Sequence, residues 1–439
     1  MLARDCASQK GLRVKHIAYA LVASLIAFTA LAMAVNPEFK QIVVVSLGPL
    51  PISIFDTLLV LATAAFFYYV SLHVPTDPAP GNRAALRLTG AYVLYQVVVV
   101  LPVAVLLYDV GPGRAYGGLT ARLGLLLVPF FYFVGLRHMK PEKMIALANA
   151  AALGLLLYAL HRYAFVGVVG SWDGGVYRLR VLWGGSTLLF GWLAITGIFL
   201  EKSAPRAYAL GMAGLLGIVL VNHRSGYLAM GLALAAYVLL SRGITRRVVA
   251  VAVAALVGGI LVASVSPTIK ESAAYSLTTM LNARSDANAW DRVERSQLAW
   301  DYVRVHPLGD YVWTGKYYLV NLGKEGFEPH NFVIGALDKQ GWVSAGLLFA
   351  LIAVVLWVGW TTRRRSRLGR VMTMYLVFYL GFCLFNTNFE TTENVALFAL
   401  AVAMILHANR ISGEDGEAAI GAPAPSVAAG ARAGERPEA

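Results

Sequence analysis

The sequence predicts an all-α polytopic membrane protein with about twelve transmembrane helices and one large, partly helical loop between the ninth and tenth. Three observations predict it. Hydrophobic residues make up 58% and charged residues 14% of 439, with a mean hydropathy of +0.64, far from the roughly one-quarter charged composition of a soluble domain. Apolar runs of spanning length recur along most of the chain, each needing about 20 residues to cross. A single long polar interval, residues 266–340, interrupts them.

In order, residues 1–34 carry Arg4, Lys10, Arg13 and Lys15 ahead of an apolar run whose end, Ala30-Leu31-Ala32-Met33-Ala34, resembles a signal-peptidase site. The run from His16 to Ala34 is longer than a usual signal core and reads as the first helix. Residues 37–52, with Gly48-Pro49-Leu50-Pro51, are too interrupted to span and read as an interfacial turn or half-helix. Further spans fall at 53–73, 88–108, 120–136, 144–161, 181–200, 207–222, 226–240, 248–265, 341–360, 371–387 and 395–409. Backbone polar groups in lipid must be satisfied internally, which makes these runs helices. The expected division is 1–265 for the first nine helices, 266–340 for the loop, 341–410 for the last three, and 411–439 for a disordered tail. No internal repeat is present.

The net charge of +13 is a topology signal and implies no nucleic acid. The connections containing Arg83 and Arg87, Arg137 to Lys143, Lys202 and Arg206, Arg242 to Arg247, and Arg363 to Arg370 all fall on one side of a twelve-span count, which the positive-inside bias makes cytoplasmic, together with both termini. Cys6 and Cys383 are the only cysteines, one in the basic N-terminal tail and one in a span, so neither a disulfide nor a thiolate metal site is expected. In the loop, Trp290, Val293, Gln297 and Trp300 recur at helical spacing and read as an amphipathic helix near the membrane surface, stopped by His306-Pro307.

The extracytoplasmic side holds the candidate chemistry. Arg178 and Arg180 precede a span, Arg224 opens the turn Arg224-Ser225-Gly226-Tyr227-Leu228, Arg292 and Arg295 lie one turn apart on the loop helix, and His330-Asn331 closes the loop. Arginines there run against the inside bias, and their planar forks suit a phosphate or pyrophosphate. Each has a plain structural alternative: Arg295 pairing with Asp291, Arg178 snorkelling to headgroups, Arg224 capping a helix C-terminus. His330 is open to a structural or a catalytic reading. The chain has no Asp-x-Asp, no HExxH, no Gly-rich phosphate loop and no nucleophile elbow, which argues against a nucleotide-sugar enzyme, a zinc protease, an ATPase and a serine hydrolase.

These residues resemble the bacterial O-antigen ligase and polymerase superfamily of membrane glycosyltransferases. Arg224-Ser225-Gly226-Tyr227-Leu228 is similar to its Arg-x-x-x-Leu turn. Arg292, fifteen residues before Pro307 in His306-Pro307-Leu308-Gly309, resembles its loop pattern, with Ser296 where a tryptophan is usual and Trp300 one turn later. His330-Asn331, nine residues and Gly341 resemble the ligase motif, with Ser344 where Gly, Thr or Tyr is usual. The resemblance implies a glycosyltransferase-C-like fold in a bacterial inner membrane. It also implies transfer of a glycan from undecaprenyl pyrophosphate at the periplasmic face to an acceptor sugar, lipid A-core for a ligase, without cofactor or metal. Arg224 and Arg292 would hold the pyrophosphate, with Arg178, Arg180 or Arg295 as further contacts; His330 would be the base and Asn331 its support. Polymerases and protein-glycosylating relatives share the pattern, and a polysaccharide-lipid transporter is the alternative from another class.

Overall fold

The structure is a computed structural model and describes residues 2–34, 43–47, 50–72, 79–106, 119–166, 169–173, 176–182, 184–241, 287–305, 307–308, 331–386 and 391–421, with isolated positions between 246 and 278. The chain is an all-α polytopic membrane protein to which two short hairpins are added. Helix α1 (Leu2–Ala34) is followed by the antiparallel hairpin β1 (Val43–Leu47) and β2 (Leu50–Ser53). Then come α2 (Ile54–Leu72), α3 (Pro80–Tyr95), α4 (Leu119–His138) and α5 (Pro141–His161). A second hairpin, β3 (Val169–Asp173) and β4 (Val176–Arg180), precedes α6 (Ser186–Leu200), α7 (Ala204–Val221) and α8 (Arg224–Ser241). Beyond these lie α9 (Ala287–Val305), α10 (Phe332–Thr362), α11 (Arg367–Cys383) and α12 (Thr392–Gly421).

Nine helices among the described residues are long and apolar enough to cross a membrane. Two further expected spans correspond to the shorter α6 and α11, and the one expected at 248–265 lies outside the described residues apart from isolated helical positions. Several expectations are corrected. Residues 43–53 form a hairpin where a turn or half-helix was expected, and 169–180 form another where no strand was expected. Valine-rich stretches such as Val43-Val44-Val45 carry β-branched side chains that suit a pleated ribbon. The last helix continues to Gly421, eleven residues into the expected disordered tail, and α10 begins at Phe332, inside the expected loop.

Prolines account for two of the local irregularities. Helix α3 widens into a π turn over Gln96–Val100 just before Pro102, and α4 tightens into a 3-10 turn over Gly124–Leu126 before Pro129. A proline ring has no N–H and crowds the carbonyl four residues back, so the helix must change pitch there.

Helix α6 is the centre of the bundle. Every residue from Ser186 to Phe199 is buried, as expected for a helix apolar all round. It packs closely on α7, where Gly211, Gly214 and Gly217 recur every three residues. A Cβ on Gly214 would lie 2.4 Å from the Ala194 amide nitrogen, and one on Gly217 would lie 2.3 Å from the Phe190 ring. The small residues let the two backbones approach, which is how helices gain contact where lipid supplies no hydrophobic drive.

Contacts tie the helix ends into two groups. At the basic end, Asn82 Nδ2 donates to the Leu406 carbonyl at 2.9 Å, Asn409 Nδ2 donates to Asn82 Oδ1 at 2.9 Å, and Thr362 Oγ1 donates to Asn409 Oδ1 at 3.0 Å. There Arg367 Nε also donates to the Phe199 carbonyl at 2.8 Å. At the opposite, hairpin end, Ser186 Oγ donates to the Met33 carbonyl at 3.1 Å, and the Val181 N–H donates to the Leu220 carbonyl at 3.3 Å. Arg224, α9 and the start of α10 belong to this end.

Gly214→Ala is expected to lower thermal stability in detergent by about 1–3 kcal/mol, because the new methyl meets backbone that must shift. Gly231→Ala, whose methyl would meet nothing within 4 Å, is expected to leave it unchanged; equal melting curves for the two would refute the close-packed α6–α7 seam.

Candidate functional site

The turn between α7 and α8 is built to present Arg224. Helix α7 ends on Asn222, the one described non-glycine residue at positive φ (48°, with ψ 49°). This left-handed cap is a geometry asparagine tolerates. Its N–H returns to the Ile218 and Val219 carbonyls, and its side chain accepts from the Tyr227 hydroxyl at 3.3 Å. After His223 the chain enters α8 at once, so the half-buried Arg224 is the first helical residue. The C-terminal cap of α7 is therefore Asn222. A guanidinium at a helix N-terminus adds charge to the positive end of the macrodipole, an arrangement that favours an anion nearby. Gly226 keeps the turn close to the bundle: a Cβ there would lie 2.6 Å from Thr187 Cγ2.

A second turn, at the C-terminal end of α11, brackets the two arginines the sequence singled out. Asn386 Nδ2 donates to Ser225 Oγ at 2.6 Å and to the Phe382 carbonyl at 2.9 Å. Ser225 Oγ also lies 2.5 Å from His223 Nδ1, so the three side chains form one hydrogen-bonded group. His223, Ser225 and Asn386 are all buried, and the imidazole lies against the Phe382 ring at 5.3 Å. The neighbouring Phe385 carbonyl accepts from Arg292 at 3.3 Å. Two consecutive residues thus hold the Arg224 turn on one side and Arg292 of α9 on the other.

Helix α9 faces the bundle with one stripe and leaves the stripe of Trp290, Val293 and Trp300 exposed. Ala299, Tyr302 and Val303 are buried, with Arg292 and Arg295 half-buried, whereas Trp290, Val293 and Trp300 are exposed. The arginine-bearing face turns inward. Trp300 meets Trp342 of α10 edge-on at 5.7 Å, and Trp342 Nε1 donates to the Val303 carbonyl at 3.4 Å.

The ligase-like motif residues acquire physical roles. Asn331 is the N-cap of α10, its Oδ1 accepting from the Val333 and Ile334 amides at 2.9 and 3.3 Å. Gly341 interrupts that helix at φ 72°, ψ 173°, a region open essentially to glycine alone. A Cβ there would lie 2.4 Å from the Leu308 carbonyl oxygen, and the next amide, Trp342 N–H, donates to the Pro307 carbonyl at 2.9 Å. The Pro307-Leu308 turn after α9 is therefore seated on the break in α10. His330 and His306 lie outside the described residues.

Arg178 and Arg180 stand on β4, in register with Ser171 and Val169 of β3. The bond from Val181 to Leu220 attaches the end of that strand to α7 just before Asn222. Sequence reasoning overlooked Asn386, the His223–Ser225 pair and the buried Arg122; a cation at the start of an apolar run was the available signal for the last. Among the described residues no group of three or more His, Cys, Asp or Glu side chains is placed to hold a metal ion.

Comparison with protein-family models and with curated protein sequences finds no match for this chain.

Gly341→Ala is expected to cost about 1–3 kcal/mol through backbone strain, read as a lower melting temperature. Gly346→Ala on the same helix, where a Cβ meets nothing within 4 Å, is the neutral control, and parity between them would remove the case for a strained, seated break.

Proposed function

We propose that this protein is a membrane glycosyltransferase of the O-antigen ligase type. It transfers O-antigen polysaccharide from undecaprenyl pyrophosphate to lipid A-core at the periplasmic face of a bacterial inner membrane. The observation that carries the reading is the meeting of Arg292 and of the Arg224-bearing turn, the latter through Ser225, at the Phe385–Asn386 turn at the hairpin end of the bundle. Two arginines from elements far apart in sequence, one at a helix N-terminus, suit a pyrophosphate with its two anionic groups. The basic connections at the other end support placing that end, with both termini, in the cytoplasm. A count of twelve spans with a periplasmic loop over 266–340 and a glycosyltransferase-C-like architecture belongs to the same reading.

In the reaction, an acceptor hydroxyl oxygen attacks the anomeric carbon of the lipid-linked glycan from the face opposite the pyrophosphate. The new C–O glycosidic bond forms as the carbon–oxygen bond to pyrophosphate breaks, and the anomeric configuration inverts. Arg224 and Arg292 take up the charge that develops on the leaving undecaprenyl pyrophosphate, with Arg295, Arg178 and Arg180 as further cations. His330 removes the hydroxyl proton, a task suited to an imidazole titrating near neutral pH, and Asn331 fixes the helix start that follows it.

The test is lipopolysaccharide banding in a ligase-deficient strain carrying the protein, with expression of every variant verified. Wild type is expected to restore the long-chain ladder, and His330→Ala to lose roughly 10²–10⁴-fold in transfer rate. Arg224→Ala and Arg292→Ala are each expected to lose roughly 10²–10³-fold. Full restoration by His330→Ala would remove it as the base. Transfer by purified wild type only onto a second lipid-linked repeat, or only onto protein, would replace the ligase reading with a polymerase or a protein glycosyltransferase. Counterflow of lipid-linked glycan in vesicles without any transfer product would replace it with a transporter.

A further inference from the structure

A helix fixes the direction of its first turns through its own hydrogen bonds, and at Gly341 that continuity ends. The Trp342 N–H is used on the Pro307 carbonyl, outside the helix. Residues 332–340 therefore form a segment about 13 Å long, standing on a joint that the backbone alone does not orient. Side chains from α3, its π turn and α4 meet this joint. Gln340, the last residue before the break, accepts at Oε1 from the Tyr92 hydroxyl at 2.8 Å and from the Ser344 hydroxyl at 3.1 Å. Ser344, just past the break, accepts from Gln96 Nε2, and Gln96 Oε1 accepts from Arg122 at 3.5 Å.

The chain has one sense throughout. Arg122 donates to Gln96, Gln96 to Ser344, and Ser344 to Gln340, where Tyr92 donates to the same oxygen. Tyr92, Gln96, Gln340 and Ser344 are at most 1% exposed and Arg122 is 6% exposed. Polar groups at such depth among apolar spans are costly unless satisfied, and a cation at one end polarises the bonds that follow. Packing alone would be served by apolar side chains at these positions. What the polar chain adds is direction, because each bond is angle-dependent and the two residues flanking the break, Gln340 and Ser344, are both held to α3 and its π turn.

We propose that Tyr92, Gln96, Arg122, Gln340 and Ser344 are positioning residues that fix the orientation of segment 332–340. They thereby place the Asn331-capped start of α10, to which residue 330 is bonded, relative to the Arg224–Arg292 site. The kinetic half of this proposal rests on the glycosyl-transfer reading above; the orientational half does not.

The experiment is hydrogen–deuterium exchange by mass spectrometry on the full-length protein in lipid nanodiscs, with transfer kinetics on the same samples. Tyr92→Phe removes one donor at nearly constant volume. Its amides at 332–340 are expected to exchange several-fold faster, with 345–362 and α11 unchanged. Turnover is expected to fall roughly tenfold to a hundredfold at unchanged KM for the lipid-linked donor. Gln340→Leu, which removes the accepting oxygen at similar volume, is expected to show the same local acceleration and the same fall in turnover. Ser344→Ala serves as the second test should Tyr92→Phe not yield folded protein. Unchanged exchange at 332–340 in these variants, or acceleration spread evenly over the bundle, overturns the proposal. Local acceleration in the variants together with no glycosyl transfer by wild type supports the positioning role and defeats the glycosyl-transfer reading instead.

Discussion

Within a bilayer there is no water to complete an interrupted helix, so each backbone irregularity must be matched by another part of the protein. This constraint organises the hairpin half of the molecule. The left-handed Asn222 is met by the returning amide bond and by Tyr227. The break at Gly341 is met by the Pro307-Leu308 turn. The Gln96–Val100 π turn has its first side chain engaged by Ser344 and Arg122. In the last two cases the irregularity and its partner come from segments far apart in the chain, which makes them joints between elements as well as interruptions within one.

Such joints explain why the candidate site lies where it does. An arginine near the membrane must be held out of lipid and given carbonyls or dipoles to face. The Phe385–Asn386 turn does this twice over, with the Phe385 carbonyl for Arg292 and the Asn386 amide for the turn that carries Arg224. The two arginines are thereby referred to a common frame, the C-terminal end of α11. The central α6, buried along its length and clamped to α7 by close glycine packing, gives that frame a rigid neighbour.

The fold class was legible because apolar length and periodicity are local properties of the sequence. The helix starts were less so: α3, α5 and α7 begin at Pro80, Pro141 and Ala204, ahead of the apolar runs expected from 88, 144 and 207, because proline opens a helix in its polar first turn. The hairpins were not, because short valine-rich strands beside spans look like irregular connections until their pairing is seen. The inward face of α9 was not legible for a related reason. Periodicity reports an apolar stripe but not which side meets protein, and here Trp290, Val293 and Trp300 are the exposed side. Arg224, Arg292 and Gly341 were legible as motif residues, while Asn386 and Ser344 join distant elements through long-range pairing that no window of sequence contains. His330 owes its place in the argument to sequence and chemistry alone.

The joint between α9 and α10 is made in part by two indoles, Trp300 and Trp342, meeting edge-on at 5.7 Å. Rings this close share their electronic transitions, and their spectrum depends on mutual angle. The protein thus carries, at the seat of its helix break, an intrinsic optical marker of whether the loop helix is docked. The near-ultraviolet circular dichroism of an unlabelled sample, compared with that of Trp300→Phe, isolates that contact without any added probe.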